Sequence, residues 1–127
     1  TLTDLITEWR RRNSDLEIQL DYDTALEQLD NKVAIHVYRI VQECLTNVVR
    51  HAQASKVNVS LGFTSERVEI NVVDNGIGGK AEALGFGVLG MRERVESLGG
   101  KFTFNSEENK GVQVKAWMPF IGKKDEH

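Results

Sequence analysis

Val68-Glu69-Ile70-Asn71-Val72-Val73-Asp74-Asn75-Gly76-Ile77-Gly78-Gly79 is the stretch whose reading decides the fold. Val68, Ile70 and Val72 recur at period two, which predicts a half-buried strand. That strand runs without a spacer into three glycines, so Asp74 falls at a strand end where the backbone turns sharply. An ionised carboxylate only accepts hydrogen bonds. Held there, it suits the exocyclic amine of a base such as adenine, with Gly76 and Gly78 letting the backbone pass close by. The same residues also permit a plain Asp-Asn-Gly hairpin turn.

Downstream, eight of the eleven glycines fall between Gly76 and Gly100. Gly85-Phe86-Gly87-Val88-Leu89-Gly90 opens a helix, so its free amides and dipole can face phosphate oxygens. The string matches GxGxxG, but a dinucleotide-binding fold needs a strand just before the first glycine and a second βαβ half. Lys80-Ala81-Glu82-Ala83-Leu84 is too short for that strand and follows a turn. GxxxxGK[ST] and HRD are absent, which excludes a P-loop and a eukaryotic-type protein kinase. Val88, Leu89, Met91, Arg92, Val95 and Leu98 predict a helix that Gly99-Gly100 ends. Phe102/Phe104 and Val112/Val114/Ala116/Met118 predict two final strands.

Upstream, Val57, Val59, Leu61 and Phe63 alternate as the first arm of a hairpin that turns around Ser65-Glu66. Before it, Asp30 or Asn31 caps a long helix predicted to run to about Ala52, with Val37, Val41, Cys44, Leu45 and Val48 on one face. At about 100° per residue, His36, Arg39, Glu43, Asn47 and Arg50 line the opposite face. Helix geometry alone leaves this row open as an ordinary wet side or as a ligand-bearing one. The Asn47 carbonyl is a hard oxygen suited to Mg²⁺, which takes few protein ligands and keeps several waters. Glu43, one turn earlier, can hold a water of that shell, and Arg50 and His51 can meet phosphate oxygens. Leu2, Leu5, Ile6 and Trp9 predict an amphipathic first helix, with Arg10-Arg11-Arg12 as its solvated end, and Leu16, Ile18 and Leu20 a first strand. Three helices and about five strands, grouped rather than strictly alternating, predict an α+β, two-layer α/β sandwich.

With 127 residues and 40% hydrophobic content, one domain is expected over residues 1–127. A net charge of -3 argues against a nucleic-acid-binding stripe. The single cysteine, Cys44, excludes an intrachain disulfide and fits a reducing cytoplasm. No apolar run approaches the roughly 20 residues that cross a bilayer. Beginning at Thr1, the chain reads as a soluble piece of something longer, with any sensor or membrane segment upstream.

Glu43-Cys44-Leu45-Thr46-Asn47-Val48-Val49-Arg50-His51-Ala52, Asp74-Asn75-Gly76-Ile77-Gly78 and Gly85-Phe86-Gly87-Val88-Leu89-Gly90-Met91 resemble, in order, the N, G1 and G2 boxes of the GHKL ATPase superfamily. Met91-Arg92-Glu93-Arg94-Val95 with Leu98-Gly99-Gly100, and the short lid between boxes, are similar to sensor histidine kinases that partner NarL-type response regulators, with UhpB-like sugar-phosphate sensors as close kin. The resemblance covers about residues 30–120. It implies the Bergerat fold, a mixed sheet covered on one face by three helices. It also implies ATP, Mg²⁺ and γ-phosphoryl transfer to a histidine on a separate helical dimerisation domain. The parent would be a membrane-anchored sensor whose catalytic domain itself touches no membrane. Carried over by position, it makes Asn47 the Mg²⁺ ligand, Glu43 and Asn47 the catalytic pair, and Asp74 the adenine reader. Arg50 and His51 become phosphate contacts, Gly76 and Gly78 the base wall, and Gly85, Gly87, Val88 and Gly90 the phosphate side and lid hinge. One departure is Lys110-Gly111-Val112, which puts valine where family members commonly carry a threonine that helps hold an adenine-bound water. Rival readings on the same boxes are an ATP-hydrolysing conformational clamp, a nucleotide-binding module without chemistry, and an anti-sigma serine kinase. The Met91–Val95 and Leu98–Gly100 strings disfavour the last.

Overall fold

A computed structural model describes residues 2–23, 31–64, 66–78 and 86–119. In chain order the elements are α1 (Leu2–Arg12), β1 (Glu17–Tyr22), α2 (Asn31–Asn47), β2 (Lys56–Phe63), β3 (Arg67–Asp74), α3 (Phe86–Ser97), β4 (Lys101–Glu107) and β5 (Gly111–Pro119). They form the expected α+β sandwich. The strands make one sheet in the order β1-β2-β3-β5-β4. β1 lies parallel to β2, an arrangement that needs a crossover such as α2 supplies. The remaining pairs are antiparallel, which makes the sheet mixed.

The period-two pattern gives the sheet two unlike faces. Val57, Val59, Leu61, Val68, Ile70, Val72, Phe102, Val114, Ala116 and Met118 are buried on one, beneath the helices. Glu69, Lys101, Asn105 and Lys115 stand exposed on the other. α2 crosses the inner face with Val37, Ile40, Val41, Cys44, Leu45 and Val48 buried, the apolar stripe expected from sequence with Ile40 added. From α3, Val88, Met91 and Val95 complete the layer. Its end is capped as the glycine pair predicts: Gly99 takes φ +85°, and the Gly100 amide returns to the Val95 carbonyl at 3.0 Å.

Two expectations are corrected. The helix does not remain α-helical to Ala52: after Asn47 it winds as a π-helical turn, Val48–Ala52, closed by Gln53 at φ 50°. And the arginine cluster is not merely solvated. Arg10 reaches the Ile18 carbonyl from Nε and a terminal nitrogen at 3.0 and 2.8 Å, tethering α1 to β1. Arg11 and Arg12 pair with Glu8 on the surface, at 2.7 and 2.8 Å. The proposed cap Asp30 and the turn residue Ser65 lie outside the described residues.

Two isoleucines on α2 calibrate this packing. Ile40 is fully buried and Ile35 is 51% exposed. Ile40→Ala is expected to lower unfolding free energy by about 2–5 kcal/mol, and Ile35→Ala to change it by no more than about 0.5 kcal/mol. Urea titration checks both, and similar losses would mean that α2 lies on the sheet by another face.

Candidate nucleotide site

The sheet holds a carboxylate in an otherwise apolar layer. Asp74 closes β3 with its side chain on the inner face, 6% exposed. Burying a carboxylate demands donors, and two backbone amides supply them: Gly76 N–H at 2.8 Å and Val112 N–H at 3.4 Å, both to Oδ1. Among the described residues, no donor reaches Oδ2. Desolvation raises the Asp74 carboxyl above the usual range, and the two amides oppose this only in part. Valine at position 112 is thus no obstacle to holding Asp74, because the contact comes from its backbone.

Glycines set how closely the surrounding chain approaches. Gly111, at φ +88°, lies where an added Cβ would overlap the Asp74 carbonyl. Gly78, at φ +73°, lies where one would overlap the Glu107 carbonyl. The Asn109 amide then bonds the Ile77 carbonyl at 2.7 Å. The β4–β5 turn is therefore packed against the segment after Asp74.

On α2, Glu43 and Asn47 are half-buried and one turn apart. A Cβ added at Gly87 would overlap the Glu43 carboxylate, standing 2.8 Å from its Cδ. The first turn of α3 thus rests against Glu43. Cys44 lies between the parts of the site: its thiol donates to the Met91 sulfur at 3.7 Å. Burial, with the Glu43 and Asp74 charges nearby, pushes that thiol up to about 12. It is a packing group rather than a nucleophile.

The other sequence candidates divide. Arg50 is exposed and belongs to the π-helical turn, so it leaves the 100° progression of the row before it. His36 keeps its place at the far end of the row, since α2 is α-helical from Asn31 to Asn47, and it meets α3 there. Its Nδ1 lies 3.3 Å from an Arg94 guanidinium nitrogen on α3, and desolvation, then Arg94 and Arg39, hold its pKa below the ordinary value. The Val88 side chain is buried in the core, which leaves only its first-turn backbone to face a ligand. Gly76 is buried beside Asp74, whereas an added Cβ at Gly90 would meet open space. Gly85 and the His51 side chain lie outside the described residues. Sequence reasoning missed Asn75, whose amide binds Ser55 and Lys56. An Asx residue after a strand end was the available signal. Among the described residues, no group of three or more His, Cys, Asp or Glu forms a metal cage.

Comparison with known proteins shows the family. Residues 32–121 match the family described as histidine kinase-, DNA gyrase B-, and HSP90-like ATPase. The chain is 37% identical over 123 residues to the sensor histidine kinase LiaS of Bacillus subtilis, covering 94% of this chain and 33% of that protein. It is 34% identical to the oxygen sensor histidine kinase NreB of Staphylococcus carnosus (80% and 31% covered) and 33% identical to the nitrate/nitrite sensor NarX of Escherichia coli (76% and 17%). The chain thus spans a third or less of these relatives. The histidine kinase domain of a blue-light activated kinase from Erythrobacter litoralis superposes with a TM-score of 0.75 at 21% identity, covering 94% of this chain and 59% of that one.

The raised Asp74 carboxyl carries a signed consequence. A folded-state acid pKa above its unfolded value means the folded protein binds more protons, so stability falls as pH rises between the two values. Asp74→Asn removes the buried charge and keeps an oxygen for both amides. The unliganded variant is expected to be more stable than wild type near pH 7, with the difference shrinking toward about pH 4. Urea titrations at both pH values check this, and a variant less stable at pH 7 would contradict it.

Proposed function

The chain belongs to the histidine kinase-, DNA gyrase B- and HSP90-like ATPase family, an ATP-binding domain of the kind found in sensor histidine kinases, and from that premise we propose how its residues serve phosphoryl transfer. Asp74 reads the adenine amine through Oδ2 while Oδ1 stays bound to the Gly76 and Val112 amides. Gly76 and Gly78 flank the base. Asn47, Arg50 and His51 serve the triphosphate, with the first-turn amides of α3 on its other side.

The observation that carries the reading is the placement of Glu43 against Gly87. It puts a carboxylate beside the helix start whose amides suit phosphate oxygens. Glu43 then orders a water or takes the proton of an attacking imidazole. Asn47, a hard neutral oxygen one turn on, fits Mg²⁺, which draws most of its ligands from phosphate and water. When bound, that ion neutralises charge developing on the transferred group. Transfer of this kind needs positioning and electrostatics more than covalent chemistry from the protein.

In the intact protein the γ-phosphoryl group passes to a histidine on a separate dimerisation domain, and from there to a NarL-type response regulator. NreB and NarX among the relatives support that partner class. The domain works on the cytoplasmic side of a membrane-anchored sensor. Among the described residues, no helix is long and apolar enough to cross a membrane.

Mg²⁺ and ATP together are expected to raise the thermal midpoint of wild type, and Asp74→Asn to abolish the shift. With the parent dimerisation domain supplied in trans at saturating ATP, Glu43→Gln is expected to slow phosphohistidine formation about 10²-fold while ATP affinity stays within about threefold. Asn47→Asp, which sets an anion beside the triphosphate, is expected to slow it by about 10²–10³. Full-rate transfer by Asn47→Asp would end the metal-ligand assignment. ATP hydrolysis without phosphohistidine would favour the conformational-clamp reading.

A further inference from the structure

The two ends of the proposed site hang on different elements. The base end, Asp74, terminates β3. The phosphate end, Asn47 and Arg50, sits where α2 passes into its π-helical turn. Only Gln53, Ala54 and Ser55 separate that turn from β2. The last ladder pair between β2 and β3 is Val57 with Asp74. Beyond it the regular pairing ends.

Asn75, the residue directly after Asp74, extends the connection. Its Oδ1 accepts from the amides of Ser55 and Lys56, each at 3.0 Å, and its Nδ2 donates to the Ser55 hydroxyl at 2.9 Å. Its own amide bonds the Lys56 carbonyl at 3.2 Å. Ser55 is held from a third side, because its carbonyl accepts from the Glu17 amide of β1 at 2.9 Å. One exposed side chain thus satisfies three groups at the point where the descent from the phosphate end meets the strand end bearing Asp74. Nothing in the reading of the two ends themselves calls for such a residue. A turn asparagine with no further task would bond within its own turn; this one bonds across twenty positions of sequence.

We propose that Asn75 is a positioning residue that fixes the separation between the base end and the phosphate end, so that both engage one nucleotide at once. This rests on the assignment of Asp74 to the base and of Asn47 and Arg50 to the phosphates. A ligand held at two points gains from correct spacing, whereas a fragment held at one does not. Loss of the tie therefore weakens the whole nucleotide more than it weakens the nucleoside. The chemistry of the tie also ranks substitutions. Asp retains Oδ1 for both amides and lets the Ser55 hydroxyl donate to its other oxygen, so it can replace Asn. Ala can do neither.

The test is a ¹H–¹⁵N titration of the full 127-residue chain with MgATP and, separately, with adenosine, well below each variant's unfolding midpoint. Asn75→Ala is expected to weaken MgATP about tenfold and adenosine by less than about twofold. Asn75→Asp should stay within about threefold of wild type on both ligands, and Ser55→Ala, which removes one bond of the three, should weaken MgATP about threefold. Unchanged MgATP affinity in Asn75→Ala, or equal losses on both ligands, overturns the proposal and leaves Asn75 a structural staple. If Asn75→Ala does not fold, Ser55→Ala decides: wild-type MgATP affinity there overturns it too. A wild-type chain that binds MgATP but not adenosine refutes the base assignment of Asp74, and this proposal with it. That failure is visible before any variant is made.

Discussion

A carboxylate kept out of water has to find donors, and much of this molecule is arranged around that requirement at Asp74. The amide of Val112 can reach Oδ1 only if β5 runs beside β3, so the strand beside β3 in the sheet is not the one that follows it in sequence. The amide of Gly76 can reach it only if the chain turns at once beyond the strand. Gly111 must come so near the Asp74 backbone that no side chain fits there. Sheet order, turn geometry and two glycines thus serve one buried charge. The charge remains costly, as its raised pKa records.

α2 joins that charge to the rest. Its apolar stripe is consumed by the sheet, which leaves Glu43 and Asn47 half-exposed above the layer where α3 begins. Gly87 lets α3 close on Glu43, and the obstacle to any side chain there is the tip of a flexible one. Substitution at Gly87 would therefore displace the carboxylate before it disturbed the fold. At its far end α2 loosens into a π-helical turn, a form frequent at functional sites. The backbone bearing Arg50 is thereby offset from the row that Glu43 and Asn47 begin.

How much could be read beforehand followed the range of the interaction. Val57, Val59 and Leu61, and Val68, Ile70 and Val72, announce their strands because burial on one face of a pleated ribbon imposes period two. Gly99-Gly100 announces the end of α3 because few other residues take that backbone conformation. Asp74 was legible for the same local reason, a polar residue where an apolar alternation gives way to glycines. What escaped was decided by partners far along the chain. Arg10 looks like a helix end until Ile18 offers its carbonyl, and His36 looks like a wet end of the polar row until Arg94 draws beside it. Val88 sits within a glycine motif, yet the core takes its side chain. The turn after Asn47 has no signature in periodicity, since Val48–Ala52 continues the helical pattern without a break.

The sulfur contact between α2 and α3 has a use outside catalysis. Cys44 is the chain's single thiol, 3% exposed, and touches Met91 on α3. Both its burial and its high pKa make it unreactive while the helices stay together. An alkylating reagent can modify it only during excursions that part them, so the labelling rate reports their population when reclosing is fast and their frequency when labelling is faster. The protein therefore carries a native reporter of the parting of α2 from α3, read by mass alone and needing no engineered probe.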